Sequence, residues 1–228
     1  MTSWNFSQSQ LMGLDTGHLI ELYPNHYVHK QAAKAVIELQ SVAKSAGIDL
    51  RLASSFRSFQ RQSIIWNEKA SGGRVVYNRS AQPLELSTYS ALDAIHAICI
   101  YSAIPGLSRH HWGCDFDVYD ANQFDANNRP QLLASEYAEN GPNFKLYTWL
   151  IEQSKNFGFT HVYKENKTVG VAAEPWHISY IPVARQAQNS FRMQDCQNIL
   201  SEHCLAFKQT LLDNLPSLYQ TYVEAYYV

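Results

Sequence analysis

The sequence predicts a globular protein that mixes helices with short strands and ends in a purely helical segment. Of its 228 residues, 46% are apolar and 17% are charged, which is typical of a folded chain. Helical and strand-like periodicities alternate up to about residue 182, and only helical periodicity follows residue 184. This length supports one sizeable core, or a compact domain with an added subdomain.

The elements up to residue 98 follow from periodicity and from residues that favour helix ends. They are a helix at 29–46, a strand at 48–53, a turn at 54–57, and helices at 58–69 and 84–98. Gly47 is a natural residue just beyond the first helix, and Ser58 can cap the second.

The elements after residue 113 are predicted in the same way. They are a strand at 114–119, a loop at 120–142, a helix at 144–156 that ends at Gly158, strands at 159–163 and 177–181, and a turn at 164–167. Beyond residue 184, an apolar i, i+4, i+7, i+11 pattern predicts one helix that Pro216 terminates, with the pattern formed by Leu200, Cys204, Phe207 and Leu211.

Charge and composition exclude several classes of function. The net charge is −2 and no basic stripe is present, which argues against a nucleic-acid partner. No apolar run has the length of a membrane-spanning helix. The first residues lack a basic segment followed by an apolar one, so we expect a cytoplasmic protein, or a periplasmic one if the true start lies upstream. The four cysteines form no CxxC pair and are expected to be free thiols.

Three short stretches carry residues suited to one chemistry. They are SSFRSFQRQ at 54–62, SRHHWGCDFD at 108–117 and EPWH at 174–177. The second offers His110 and Asp117, which can reach one ion only if the chain bends between them, and Gly113 allows that bend. The third offers His177. Two imidazoles and one carboxylate are the ligands of a catalytic zinc site that keeps a position open for water.

Glu174 supplies a further carboxylate close to these ligands. Pro175 disfavours helix at that point, so the segment is expected to be extended, with Glu174 beside the metal rather than bound to it. There Glu174 can act as the general base that accepts a proton from water as a carbonyl is attacked.

Arg57 lies where a predicted strand leads into a helix N-terminus, a place that favours an anion. Its guanidinium can bind a substrate carboxylate or stabilise a tetrahedral oxyanion. Gln62 follows Ser58 by one turn on the same helix face and can bond the same ligand. Trp176 is expected in the wall of the cleft, as a substrate contact.

Together the three stretches resemble the zinc D-alanyl-D-alanine carboxypeptidases, within the wider group that includes lysostaphin-type peptidases and the hedgehog N-terminal domain. The family patterns are S-G-Y-R-S-x-x-x-Q, S-x-H-x-x-G-x-A-x-D and E-P-W-H, in the same order. The resemblance spans roughly residues 30–182 and implies an α+β domain with a central mostly antiparallel sheet and flanking helices. We predict that this zinc peptidase domain occupies residues 1–184. The helical extension at 185–228 would pack on that domain.

The resemblance also implies the roles of the site residues. It implies one Zn²⁺ per chain held by His110, Asp117 and His177, with Glu174 as the catalytic base and Arg57 as the oxyanion or substrate group. Further substrate contacts are expected from Ser58, Gln62 and Ser108. Asp115 replaces the usual alanine, and it is either an acceptor that supports a ligand or a capped carboxylate at a strand end.

These observations lead to three hypotheses on function. The first is a zinc carboxypeptidase that cleaves the terminal peptide bond of muropeptide stems ending in D-alanine. The second is an L,D-carboxypeptidase or D-Ala-D-Ala dipeptidase in peptidoglycan recycling. The third is a zinc-binding module without catalysis, against which the retention of Glu174 and Arg57 argues. The oligomeric state is not predicted.

Overall fold

The computed structural model describes residues 4–164 and 168–228. Its strands are β1 Leu19–Tyr23, β2 His26–His29, β3 Leu50–Ser54, β4 Val76–Tyr77, β5 Pro83–Leu84, β6 Asp115–Asp120, β7 Phe159–His161 and β8 His177–Tyr180. Its α-helices are α1 Gln8–Leu11, α2 Ala33–Ser45, α3 Phe59–Ala70, α4 Ala91–Ile98, α5 Ala134–Tyr137, α6 Phe144–Gln153, α7 Ile181–Ser190, α8 Met193–Glu202, α9 Lys208–Asp213 and α10 Leu215–Tyr222. Most of the turn predicted at 164–167 lies outside the described residues.

The centre of the molecule is a four-stranded sheet in the order β3-β6-β8-β7, and every neighbouring pair is antiparallel. The α+β class with an antiparallel sheet is therefore confirmed. The two central strands, β6 and β8, have almost no exposed side chain, because helices cover the sheet. Their burial means that a polar side chain on them needs a partner or a function.

Two small hairpins accompany this sheet and were not predicted. β1 pairs with β2 near the N-terminus, and β4 pairs with β5. The second hairpin explains why the helix predicted at 84–98 is wrong over its first turns. Residues 83–84 pair as a strand, and α4 starts only after Ser90, whose hydroxyl accepts a hydrogen bond from the Asp93 N–H.

The single C-terminal helix predicted from residues 200–211 is also wrong. The chain forms separate helices α8, α9 and α10. It leaves the helical conformation after Glu202, and Phe207, with φ +61°, immediately precedes α9. Pro216 lies in the first turn of α10 and does not terminate a helix. A missing N–H and a fixed φ suit proline to that first turn.

One continuous hydrophobic cluster joins the sheet and its helices to the C-terminal helices, including Leu200, Leu211 and Leu218. A hydrogen bond from the Trp66 indole to the Ala206 carbonyl also links α3 to this region. The boundary predicted at residue 184 stays a prediction. All four cysteines are free. Among the described helices, none combines the length and apolar character needed to cross a bilayer.

Candidate metal and active site

Strand register brings two of the predicted ligands face to face. Asp117 on β6 lies opposite His177 on β8, and Ser54 on β3 lies on the other side of Asp117. Cross-strand partners have Cβ atoms about 5 Å apart, so their side chains can reach one ion. Asp115 lies two residues earlier on the same face of β6, opposite Ser179.

His110 reaches the same point from a 3₁₀ turn, Arg109–Trp112, which ends at Gly113 with φ +69°. This left-handed residue makes the bend that the spacing of His110 and Asp117 requires. His110 donates from Nδ1 to the Ser55 carbonyl at 2.9 Å. Its Nε2 is thereby directed to the Asp117 carboxylate, 3.5 Å from Oδ2.

His177 is oriented in a similar way by its other nitrogen. Its Nε2 donates to Asp115 Oδ1 at 2.9 Å. Its Nδ1 lies 3.2 Å from Asp117 Oδ1, and neither of these buried atoms has a hydrogen-bond partner among the described residues. Ligand atoms in a tetrahedral zinc site with bonds of about 2.0 Å lie about 3.3 Å apart, so the donor set fits a zinc ion.

The donor atoms of His110, Asp117 and His177 lie within 4.8 Å of one another, and all three residues are buried. Burial alone would lower the pKa of His177, but the hydrogen bond to Asp115 and the nearby Asp117 carboxylate raise it to about 9. Burial lowers the pKa of His110. Burial acts to raise the pKa of Asp117, but the two imidazoles outweigh it and hold that pKa well below its usual range.

Glu174 lies beside these donors. The Glu174 carbonyl accepts a hydrogen bond from the His177 N–H at 3.0 Å, so the segment forms a turn with Pro175 at its second position, not the extended strand that we predicted. The turn brings Glu174 Oε2 to 3.6 Å from His177 Nδ1. Burial, followed by the Asp117 charge, raises the pKa of Glu174 to about 8 although the His177 and Arg57 cations oppose it.

Arg57 approaches from the end of β3. Its Nη1 donates to Gln62 Oε1 at 2.9 Å, and its Nη2 donates to Ser54 Oγ at 3.2 Å. Nη2 also lies 3.9 Å from Asp117 Oδ2. Burial lowers the pKa of Arg57 while the Asp117 and Glu174 carboxylates oppose that shift. The guanidinium is thus fixed on the same side of the sheet as the donor cluster.

The neighbouring His111 is not part of the cluster. Its Nδ1 donates to the Arg57 carbonyl at 2.6 Å, and its Nε2 accepts from the Gly106 N–H at 3.1 Å. Both ring nitrogens are therefore occupied. His110 is the histidine of this pair that faces Asp117.

Comparison with known proteins identifies the family. Residues 25–183 match the model of the VanY D-alanyl-D-alanine carboxypeptidases. The chain belongs to this family. The resemblance inferred from the three motifs is therefore confirmed.

Several named proteins share the fold or part of the sequence of this VanY-family chain. The fold is similar to that of a mutant of the vancomycin resistance D,D-pentapeptidase VanY in complex with Zn(II), with a TM-score of 0.53 and 21% identity over 85% of this chain and 88% of that one. It is also similar to VanYB in complex with D-alanine-D-alanine, with a TM-score of 0.54 and 22% identity over 85% and 87% of the two chains. The D-alanyl-D-alanine carboxypeptidase of Enterococcus faecalis is 26% identical over 76% of this chain and 53% of its own length. This chain spans about half the length of the named curated relatives it matches.

The donor cluster of this VanY-family chain opens into a cleft. Its polar wall is formed by Arg57, Ser108, His110, Asp117, Glu174 and His177. Apolar groups, among them Ile104, Leu107 and Val171, form much of the remainder. Ser108 therefore lies where a substrate contact was predicted.

The other predicted substrate contacts lie outside this wall. The Ser58 hydroxyl caps α3 by accepting from the Arg61 N–H. Gln62 is buried, and its amide nitrogen donates to the Ala103 carbonyl at 2.7 Å while its oxygen holds Arg57. Trp176 is buried against the Tyr137 ring, with centroids 5.8 Å apart. Their roles in substrate binding stay predictions.

Three tyrosines that line the cleft escaped the sequence analysis, namely Tyr101, Tyr163 and Tyr222. The Tyr163 ring lies 4.8 Å from the His177 ring, and Tyr222 reaches the cleft from α10. The Tyr222 hydroxyl lies 2.7 Å from His96 Nδ1. Residue 222 lies beyond the segment that the family model matches, and no local pattern connects it with the three motifs.

Proposed function

We propose that this chain is a zinc-dependent carboxypeptidase that hydrolyses the terminal peptide bond of peptidoglycan stem peptides ending in D-alanine. One observation carries the proposal: the donor atoms of His110, Asp117 and His177 converge in a cleft, with a separate carboxylate, Glu174, 3.6 Å from one of them. A purely structural zinc site needs four protein ligands and no further acid or base. Three ligands and a spare carboxylate favour catalysis.

The metal would be held by His110 Nε2, His177 Nδ1 and the Asp117 carboxylate. When bound, Zn²⁺ polarises a carbonyl oxygen and lowers the pKa of a water molecule to about 7. His110 is held in a fixed orientation by the Ser55 carbonyl. Such hydrogen bonds select the tautomer that leaves the metal-facing nitrogen free.

Glu174 would act as the general base and then as the general acid. No described side chain donates a hydrogen bond to its carboxylate, which is therefore available to a water molecule in the cleft. It would take one proton as the water oxygen attacks the peptide carbonyl, and deliver it to the departing amine. A carboxylate suits both steps because it can accept a proton from water and release it to the amine.

Arg57 would bind the negative charge that the substrate carries or develops. Its two hydrogen bonds to Gln62 and Ser54 leave its orientation fixed before substrate arrives. A preorganised guanidinium can stabilise a tetrahedral oxyanion or hold the free carboxylate of a C-terminal D-alanine. Both roles are consistent with an exopeptidase.

Substitution of Glu174 tests the mechanism. We expect Glu174→Gln to keep about one zinc per chain by metal analysis, and to lose at least about a hundredfold in turnover, because the amide cannot accept the proton. The matched control is Glu152→Gln, at an exposed position of α6. A Glu174→Gln enzyme as active as the parent would contradict the mechanism, and a metal-free, fully active parent would contradict the metal site.

Mass spectrometry of incubations with pentapeptide stems, tetrapeptide stems and free D-Ala-D-Ala identifies the bond that is cut. Loss of D-alanine from pentapeptide supports the proposal. Cleavage of tetrapeptide alone, or of the free dipeptide alone, would replace it with the L,D-carboxypeptidase or dipeptidase hypothesis. Zinc binding without hydrolysis of any of the three would favour a non-catalytic module. The cytoplasmic location stays a prediction, tested by fractionating cells that produce the full-length protein.

A further inference from the structure

A chain of buried polar groups lies behind the candidate metal ligands and has no part in the reaction proposed above. It begins at Asp115, whose side chain is fully buried and accepts a hydrogen bond from His177 Nε2 at 2.9 Å. An ionised carboxylate in the interior is strongly unfavourable unless it is paired and hydrogen-bonded. Its presence therefore requires an explanation.

The charge of Asp115 is balanced by one buried cation. Arg109 Nε donates to Asp115 Oδ1 at 2.7 Å. The second oxygen, Oδ2, accepts from Ser179 Oγ at 3.1 Å and from the Cys114 thiol at 3.4 Å. Both oxygens are thus occupied, and the carboxylate can rotate only by breaking several bonds.

Arg109 is itself fixed on three sides. Its Nη2 donates to Ser179 Oγ at 2.8 Å, and its Nη1 donates to the Tyr226 carbonyl at 3.1 Å. Its guanidinium carbon lies 4.8 Å from the centre of the Trp112 ring. Tyr226 belongs to the last turn of the chain, so the C-terminal segment completes the surroundings of Arg109.

The hydrogen bonds of Asp115 favour one tautomer and one ring orientation of His177. Because Nε2 carries the proton given to Asp115, Nδ1 is the nitrogen with a free lone pair, and it points to Asp117 Oδ1, 3.2 Å away. A flipped ring would place the carbon Cε1 opposite Asp115 and lose this bond. An apolar pair in place of Asp115 and Arg109 could fill the same buried space, since buried ion pairs are often no more stabilising than apolar residues of similar size. An apolar pair could not accept the hydrogen bond from His177 Nε2.

We propose that Asp115, held by Arg109, is a positioning residue that fixes the ring orientation and tautomer of His177 and thereby raises the affinity of the site for zinc. The family pattern quoted above has alanine at this position, so the hydrogen bond from Asp115 to His177 is a feature of this chain that the pattern does not contain. The inference rests on the proposed metal site, but it does not require hydrolysis of any particular substrate.

Zinc affinity measured by competition with a chromophoric chelator tests this role without substrate. We expect Asp115→Ala to weaken zinc binding by about 10- to 100-fold, as is typical when a group supporting a metal ligand is removed. Asp115→Asn retains an oxygen that can accept the His177 proton, so it should recover part of this loss. The matched control is Asp120→Ala, which removes another fully buried carboxylate of β6, one that accepts from the Asp49 and Asn122 N–H groups and lies outside the His177 network. It should bind zinc within about threefold of the parent.

An Asp115→Ala protein that folds and binds zinc as tightly as the Asp120→Ala protein would overturn the proposal. If neither Asp115 variant folds, long-range ¹H–¹⁵N NMR of the unsubstituted zinc-loaded protein decides. A proton on His177 Nε2 with zinc at Nδ1 supports the proposal, and the reverse arrangement overturns it. A parent that binds zinc in the expected Asp115-dependent way but cleaves no peptide would contradict the proposed function alone.

Discussion

Replacing Gly113 with alanine should destabilise the protein and disturb the candidate metal site at the same time. Gly113 has φ +69° and separates the turn that carries His110 from the strand that carries Asp117. A Cβ atom here would lie 2.4 Å from Leu19 Cδ2 and 3.0 Å from the His29 backbone nitrogen. The side chain of Leu19 can move, but the His29 N–H donates to the Gly113 carbonyl at 2.7 Å and holds the two backbones together.

The expected change in the free energy of unfolding has three parts. A left-handed conformation costs a non-glycine residue about 1–2 kcal/mol. Replacing glycine with alanine also lowers the conformational entropy of the unfolded chain, which offsets about 0.4–1 kcal/mol of that cost. Overpacking against a neighbour that cannot move adds about 1–3 kcal/mol. We therefore expect Gly113→Ala to lower the free energy of unfolding by about 2–4 kcal/mol.

Gly72 provides a matched control in the same chain. It has φ +79°, and an added Cβ would meet nothing within 4 Å. Gly72→Ala should therefore show only the conformational part, about 1 kcal/mol or less. Urea unfolding of both variants, and zinc competition on the folded fraction, measure the difference. Equal destabilisation by the two substitutions would refute the steric argument, and unchanged zinc affinity in Gly113→Ala would refute the link to the site.

Two further predictions concern stability. Burial lowers the pKa of His18 to about 4 and that of His29 to about 3. Below about pH 6.5 these histidines are protonated in the unfolded chain but stay neutral in the folded protein, so the free energy of unfolding falls as the pH drops from about 6.5 toward 4. The expected loss is on the order of 3 kcal/mol for His18 alone. Urea midpoints at pH 7, 6 and 5 measure this, and His18→Phe should show a shallower decline; a midpoint that does not move with pH would contradict it. Tyr137→Phe should cost about 1–2 kcal/mol, because the buried hydroxyl donates to the Val118 carbonyl at 2.6 Å. Urea unfolding checks this value, and an unchanged midpoint would show that the bond contributes nothing.

The parts of the fold that sequence predicts best are those decided by neighbouring residues. Ser58 caps α3 as its position before the helix indicated, and Gly47 and Gly158 adopt the left-handed conformation beyond a helix end. The bend at Gly113 follows from the same kind of local reasoning. In each case a side chain or the lack of one limits the backbone within a few residues.

Elements decided by distant contacts were missed or wrong. The periodicity at residues 200–211 is helical throughout, yet α8 ends at Glu202 and α9 starts only at Lys208, after the left-handed Phe207. The segment then packs back on α8 and α10. The strand β2 shows no clear alternation, because His29 and Val28 are both buried, and His29 bonds to Gly113 far along the chain. The residues next to each position in the sequence do not reveal such distant contacts.

The candidate site combines both kinds of information. Motif spacing identifies Glu174 and the three donors, but it does not state which residue of β6 faces which residue of β8. The pairing of Asp117 with His177 decides this, since a shift of one residue would turn the whole face away. The same pairing sets Asp115 against Ser179 and behind His177. The strand register that forms the donor cluster therefore also places Asp115 where it supports His177. This single strand pairing couples the metal site to the buried ion pair of Asp115 and Arg109 and, through the Arg109 bond to the Tyr226 carbonyl, to the C-terminal turn.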